Sequence, residues 1–329
     1  MSDTTKPARS TEVQASGEGA ASLVMSDPAV ASGASSDRHR HGAVEAPAVR
    51  ASGLSRVFTT KVDRPRPALE RVDLMVPSAQ FLSVIGPSGC GKSTLLRLIG
   101  GLDTPTSGTI TVGGEDPDVV RSRGVIGLVP QSPALLPWKS VAENVALLDR
   151  LGPWKGRLDQ ATTDEWLTRV ELADERDLLP HQLSGGMQQR VALARAFAIE
   201  PSLLLMDEPF NALDEVTRHH MQNLLVDLWR LRRPTVVFVT HSIDEAIKLS
   251  DRVLVLSSAP GTVAADITID LERPRRSGIE DSRAFREHAA AIRHILLDGN
   301  GDGDGDGVGG TVDENQDESM NEPMVGGGP

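Results

Sequence analysis

Phe81-Leu82-Ser83-Val84-Ile85-Gly86-Pro87-Ser88-Gly89-Cys90-Gly91-Lys92-Ser93-Thr94 passes from an apolar run through three glycines into a helical pattern. Phe81 to Ile85 is a short apolar run of buried-strand type, and Ser93 to Ile99 continues as a helical pattern. Between them, Gly86 to Thr94 fits GxxxxGK[ST] in full. Glycines let the backbone curl so that successive N–H groups point at phosphate oxygens. The helix that follows presents its positive end to the same group. Lys92 adds a point charge for the β- and γ-phosphates, and the Ser93 hydroxyl can bind Mg²⁺. The binding set is therefore Gly86, Pro87, Ser88, Gly89, Cys90, Gly91, Lys92, Ser93 and Thr94. A helix N-terminus can depress a thiol pKa. Cys90 is nevertheless read as a small residue at a variable loop position.

Outward from this loop, further apolar runs at Val125 to Val129, Leu203 to Met206, Val236 to Val239 and Val253 to Leu256 read as strands. Strands alternating with helices predict a largely parallel α/β sheet. Between about 138 and 195 the strand signals vanish and helix-favouring residues dominate, which predicts a helical insertion. Residues 1–48 are rich in Ala, Ser, Gly and Thr, a composition that buries too little to fold, and are expected to be disordered. A nucleotide-binding body over 49–276 and a C-terminal helix over 277–297 are expected next. The chain closes with an acidic Gly/Asp-rich tail over 298–329. Asp302 to Gly307 copies the first half of an EF-hand loop, with Asp313 at its twelfth position. Gly309 stands where an apolar residue belongs and no amphipathic helix follows, so a solvated acidic tail is the better reading.

The net charge of −12 is misleading. Nine acidic and no basic residues lie in 298–329, and six acidic against four basic in 1–48, so the body is near −1. No basic cluster of the kind nucleic acids require stands out. The one cysteine forbids an intrachain disulfide. No apolar run reaches 18 residues, and the N-terminus has no secretory pattern. A membrane role must therefore come through a partner.

Leu203-Leu204-Leu205-Met206-Asp207-Glu208 is an apolar run ending in two carboxylates. Phosphoryl transfer needs a metal to neutralise developing charge and a group to orient water. Asp207 is the candidate for the Mg²⁺ shell and Glu208 for polarising the attacking water.

Leu183-Ser184-Gly185-Gly186-Met187-Gln188-Gln189-Arg190 resembles the signature motif of ABC-family ATPases and stands just upstream of the Asp-Glu run, where that family places it. Ser184 and the two glycines open a helix over Met187 to Ile199, so free N–H groups face a phosphate. The resemblance, over about Val49 to Arg276, implies a P-loop NTPase (RecA-like) core. To this it adds an ABC-type antiparallel β subdomain and an inserted α-helical subdomain. It implies a homodimer with two ATP molecules sandwiched head to tail, Ser184, Gly185 and Gly186 acting on the ATP of the second copy. It further implies Gln131 as Mg²⁺ ligand and γ-phosphate sensor, and Asp214, in Asn211 to Asp214, on the loop crossing the interface. His241 is implied as the switch histidine and Phe58 as the residue stacking on adenine. Catalysis is thus expected of Glu208, His241, Gln131 and Lys92, and metal binding of Ser93, Gln131 and Asp207. Two departures, Ala79-Gln80 for the usual Gly-Glu and Asn211 for the usual serine, leave the chemistry untouched.

Gln131-Ser132-Pro133-Ala134-Leu135-Leu136-Pro137-Trp138 and Leu271-Glu272-Arg273-Pro274-Arg275 look like the ATPases of nitrate, sulfonate, taurine and pyrimidine-precursor importers. That resemblance implies two integral-membrane permease subunits docking near Leu136, Pro137 and Trp138, and an extracytoplasmic solute-binding protein. It places the chain at the cytoplasmic face of the membrane. The alternatives are an exporter or lipoprotein-release ATPase, or a soluble ABC ATPase of DNA repair or translation. Repair types split their halves with coiled coils and ribosomal types fuse two domains, and neither pattern is visible here.

Overall fold

The computed structural model describes residues 48–59, 64–156, 158–275 and 278–298. The EF-hand-like run from Asp302 to Asp313, and all but the last residue of the N-terminal segment 1–48, lie outside them. Among the described residues nine strands form two sheets. β1 (Val49–Phe58), β2 (Arg66–Val76) and β4 (Ser107–Val112) make an antiparallel sheet in the order β2-β1-β4. β2 buries Leu69, Val72, Leu74 and Val76 and turns the alternate residues outward, as a half-covered antiparallel sheet should.

The second sheet holds β3 (Phe81–Ile85), β5 (Ile126–Val129), β6 (Leu203–Asp207), β7 (Thr235–Val239), β8 (Arg252–Leu256) and β9 (Val263–Thr268). Its order is β5-β6-β7-β3-β8-β9, parallel throughout except for the antiparallel edge strand β9. The central strands are buried on both faces, which is why they read as unbroken apolar runs. The two-residue period still sorts them. Leu204, Met206, Val236 and Phe238 pack into one core, and Leu203, Leu205, Val237 and Val239 into another.

The helices are α1 (Lys92–Ile99), α2 (Pro117–Ser122), α3 (Val141–Val145), α4 (Gln160–Arg169), α5 (Gly185–Ala198), α6 (Glu215–Arg232), α7 (Ile243–Leu249) and α8 (Arg283–Asp298). Between β5 and β6 the described residues are helical or irregular and contain no strand. Trp166 of α4 stacks on Phe197 of α5, ring centroids 6.0 Å apart, and so ties this segment to the first core. α1 and the antiparallel sheet cover the opposite face through Leu54, Val72, Leu95 and Ile99.

Helix boundaries differ from the sequence reading where a cap or a turn intervenes. α5 starts at Gly185 rather than Met187 because the Ser184 hydroxyl accepts from the Met187 N–H at 3.3 Å. Instead of helix from residue 277, Gly278 sits at φ 90° and a 3₁₀ turn spans Ile279–Asp281. Ser282 then accepts from the Phe285 N–H and starts α8, which buries Phe285, Ala289 and Ile292. No helix among the described residues is long and apolar enough to cross a membrane.

Candidate active site

The parallel strands β3, β5, β6 and β7 all end on one edge of the sheet, where open α/β sheets bind ligands. β3 runs into the phosphate loop, β6 into Asp207 and Glu208, and β7 into His241. With β7 between them, β3 and β6 stand about 10 Å apart. The loop curls across this gap, and the Ser93 hydroxyl reaches the Asp207 carboxylate at 3.0 Å.

Two glycines make the curl possible. Gly91, at φ 98°, would set a Cβ 2.5 Å from the Ala68 carbonyl and 2.7 Å from Leu69 Cδ2. A Cβ on Gly86 would lie 2.7 Å from Cys90 Sγ and 2.8 Å from the Leu256 carbonyl. No side chain caps α1, so its first N–H groups face the loop unclaimed by a cap. Lys92 is buried and donates to the carbonyls of Gly86 at 2.9 Å and Pro87 at 3.0 Å. The Cys90 thiol is fully buried, and burial pushes its pKa up, outweighing the charge of Lys92. The thiol is thus poorly ionised, and Cys90 serves the loop through its backbone.

A cleft of about 480 Å³ opens over this loop, within the usual range for a nucleotide site. Its walls include Phe58, Ser88, Gly89, Lys92, Thr94 and Glu208. The Phe58 ring is half-exposed, with the Arg56 guanidinium 4.8 Å from its centroid. A wider groove of about 700 Å³ beside α1 is lined by Asp103, Asp116 and Asp118 without any basic side chain, so it suits no phosphate.

Burial pushes the Asp207 carboxyl above the usual range and repulsion from Glu208 adds to it, against the Ser93 hydrogen bond and the charges of Arg97 and Lys92. Glu208 has φ 45°, in the left-handed region that costs a non-glycine residue about 1–2 kcal/mol. Its N–H holds the Val239 carbonyl at 2.9 Å, and its carboxylate accepts from Asn211 Nδ2 at 3.3 Å and lies 3.7 Å from His241 Nδ1. His241 is 57% exposed against 20% for Glu208, so the histidine is the outer member of the pair.

Other expected site residues lie apart. Gln131 is exposed two residues beyond β5 and does not line the cleft. Nor do Ser184, Gly185, Gly186 and Asp214. These four sit at the starts of α5 and α6, both capped in the same way: Asp214 accepts from the Thr217 N–H at 2.9 Å, as Ser184 does from Met187. The two starts touch at Gly186, where a Cβ would stand 2.7 Å from Thr217 Cγ2.

The segment from Leu136 to Trp138 is held by two residues that sequence reasoning missed. Asn144 is fully buried; its Oδ1 accepts from Leu136 N–H at 2.8 Å, and its Nδ2 faces the carbonyls of Leu136, Lys139 and Ser140. Arg195, also buried, donates to the carbonyls of Ala134 and Pro133. Burial without a carboxylate partner lowers its pKa. The result is a stiff turn that leaves Trp138 71% exposed. An arginine inside the otherwise apolar run Val191 to Ile199 was the available signal: a buried guanidinium must find acceptors.

Residues 69–211 match the family model for ABC transporters. An uncharacterised ABC transporter ATP-binding protein of Methanocaldococcus jannaschii is 45% identical over 254 residues, 76% of this chain and 91% of that protein. The aliphatic sulfonates import ATP-binding protein SsuB of Rhodopseudomonas palustris is 46% identical over 235 residues, 71% of this chain and 79% of its own. A solved dimeric ATP-binding cassette in a post-hydrolysis state, bound to ADP and Pi, superposes with TM-score 0.60 at 33% identity, covering 68% of this chain and all of its own.

Proposed function

Because this chain belongs to the ABC transporter ATP-binding family, we propose that two copies of it close on two ATP molecules head to tail and that their hydrolysis drives import of a small solute through membrane permease subunits. The observation that carries this reading is the division of the site. Lys92, Ser93, Glu208 and Phe58 share one cleft, while Ser184, Gly185 and Gly186 lie outside it at the start of α5, a helix N-terminus free of acidic side chains and suited to a phosphate, with Asp214 at the neighbouring start of α6. A second copy supplies what each cleft lacks, and the similar solved cassette is a dimer.

In this reading the loop N–H groups and Lys92 hold the β- and γ-phosphates, Lys92 exchanging the carbonyls of Gly86 and Pro87 for phosphate oxygens. Phe58 stacks on the adenine. Mg²⁺ fits the donor set, because the Ser93 hydroxyl and Asp207 carboxylate are adjacent hard oxygens. Ser93 and Asp207, with Gln131, would hold Mg²⁺ together with oxygens of the bound nucleotide. When bound, Mg²⁺ neutralises charge on the phosphates. Glu208 orients and polarises the attacking water, and its left-handed backbone turns the carboxylate into the cleft. His241, beside it, meets the γ-phosphate, and Gln131 swings in from the exposed turn after β5 on closure. Ser184, Gly185 and Gly186 of the second copy cover the γ-phosphate, while Asp214 packs across the interface.

Trp138, projecting from the clamped turn with Leu136 and Pro137, is the anchor for a permease subunit. That partner holds the chain at the cytoplasmic face of the membrane. The names of several relatives favour an aliphatic sulfonate, with nitrate and taurine as related small solutes, delivered by a solute-binding protein. The decisive experiment is Glu208→Gln, which traps an ATP-bound dimer without turnover; rapid hydrolysis by that variant would overturn the assignment. Growth of a deletion strain on sulfonates tests the solute.

A further inference from the structure

Behind Glu208 and His241 lies a small cavity of about 30 Å³, walled in part by Thr240, Ser242, Glu245 and Arg218. The Glu245 carboxylate is 7% exposed and has no place in the mechanism above. Its Oε2 accepts from the Thr240 hydroxyl at 2.6 Å and its Oε1 from Gln222 Nε2 at 3.2 Å. The Thr240 oxygen in turn accepts from the Ser242 N–H at 3.0 Å, and the Ser242 hydroxyl accepts from the Glu245 N–H at 3.3 Å. One buried carboxylate thus closes a ring around the turn whose middle residue is His241.

On its other side Glu245 faces Arg218 of α6, whose Nε stands 3.8 Å from Oε1. That guanidinium grips a different loop. It donates to the Leu213 carbonyl at 2.6 Å and the Phe210 carbonyl at 3.4 Å, while the backbone N–H of Arg218 donates to the Asp214 carbonyl at 2.8 Å in the first turn of α6. Gln222 and Thr240 alone give Glu245 two neutral donors. Neither explains why the remaining face of a buried carboxylate looks onto the cation that shapes residues 210–214. At 3.8 Å, away from bulk water, the attraction is appreciable yet not locked into a bidentate fork, so either side can shift while still pulling the other.

We infer that Glu245 and Arg218 are a positioning pair that links the loop 210–214 to the His241 turn. The inference rests on the reading that His241 meets the γ-phosphate and that Asp214 lies at the interface between copies. It adds the connection between them: displacement of one loop by the second copy is transmitted through the body of the same chain to the histidine of its own site.

ATPase assays on the full chain test it. Glu245→Gln keeps hydrogen-bonding capacity toward Thr240 but loses the attraction for Arg218, and Arg218→Met removes the grip from the other side. Each lowers kcat about tenfold, the scale of coupling between contacting residues. ATP affinity and the melting midpoint stay near wild type, a split that simple destabilisation would not produce. The double variant is no slower than either single. Wild-type kcat in the single variants, or losses that multiply in the double, would overturn the link. If Glu245→Gln melts early, Arg218→Met at its partly exposed site carries the same test. Glu208→Gln run alongside separates the failures. Turnover by that variant defeats the underlying functional reading. An inactive Glu208→Gln beside a fully active Glu245→Gln defeats only the link.

Discussion

Two adjacent glycines, Gly185 and Gly186, should respond oppositely to the same substitution. A Cβ on Gly186 would stand 2.7 Å from Thr217 Cγ2, against the roughly 3.5–4.0 Å of an ordinary carbon contact. Thr217 yields poorly: it is β-branched, and its N–H is held by Asp214 at 2.9 Å. Overlap of this kind costs about 1–3 kcal/mol. A Cβ on Gly185 meets nothing within 4 Å, and its backbone is not left-handed. There alanine gains about 0.4–1 kcal/mol by restricting the unfolded chain. For a domain of this size 1 kcal/mol moves the melting midpoint by about 2–4 °C. Calorimetry on the nucleotide-free protein should therefore find Gly186→Ala lower by several degrees and Gly185→Ala unchanged or slightly higher. Thr217→Ser deletes the offending methyl, so Gly186→Ala/Thr217→Ser should recover most of the loss, and with it the ATPase activity that a displaced α5 start forfeits. Equal midpoints for the two alanine variants, or no recovery with serine, would refute the packing argument.

Asp207→Asn should stabilise the nucleotide-free protein increasingly as pH rises. Its carboxyl pKa is raised in the fold, so the stability linked to it is present below the ordinary carboxylate pKa and is lost as pH rises through the folded value. Denaturant titrations of both proteins across that window check the sign. Asn144→Ala leaves the Leu136 N–H and several carbonyls without their buried partner and should cost about 2–3 kcal/mol, read from the urea midpoint. Trp138→Ala should leave stability and ATP binding unchanged while weakening copurification with the permease.

The phosphate loop and the acidic strand end were legible because each needs particular residue types in consecutive positions. Gly91 is unreplaceable because an added Cβ would run into Ala68 and Leu69, and Leu203 to Met206 are apolar because both sheet faces are covered. Side chains whose partners are distant in sequence stayed hidden. Ser242 and Glu245 have the spacing of a capping box, yet the Glu245 side chain turns to Thr240, Gln222 and Arg218 instead of its own helix start. Asn144 reads as an ordinary polar helix residue until its loop carbonyls are seen. The insertion of β7 between β3 and β6 was equally invisible, because strand order depends on which faces find cover and not on any local pattern.

Lys92 also acts on its own loop. Before nucleotide arrives its ammonium already has ligands, the carbonyls of Gly86 and Pro87, so the loop keeps its curled shape instead of collapsing around a bare charge. In the proposed reading, capture of ATP is then an exchange of ligands on the Lys92 ammonium. Binding would then need little folding of the loop, so the ATP association rate should vary little with mild denaturant.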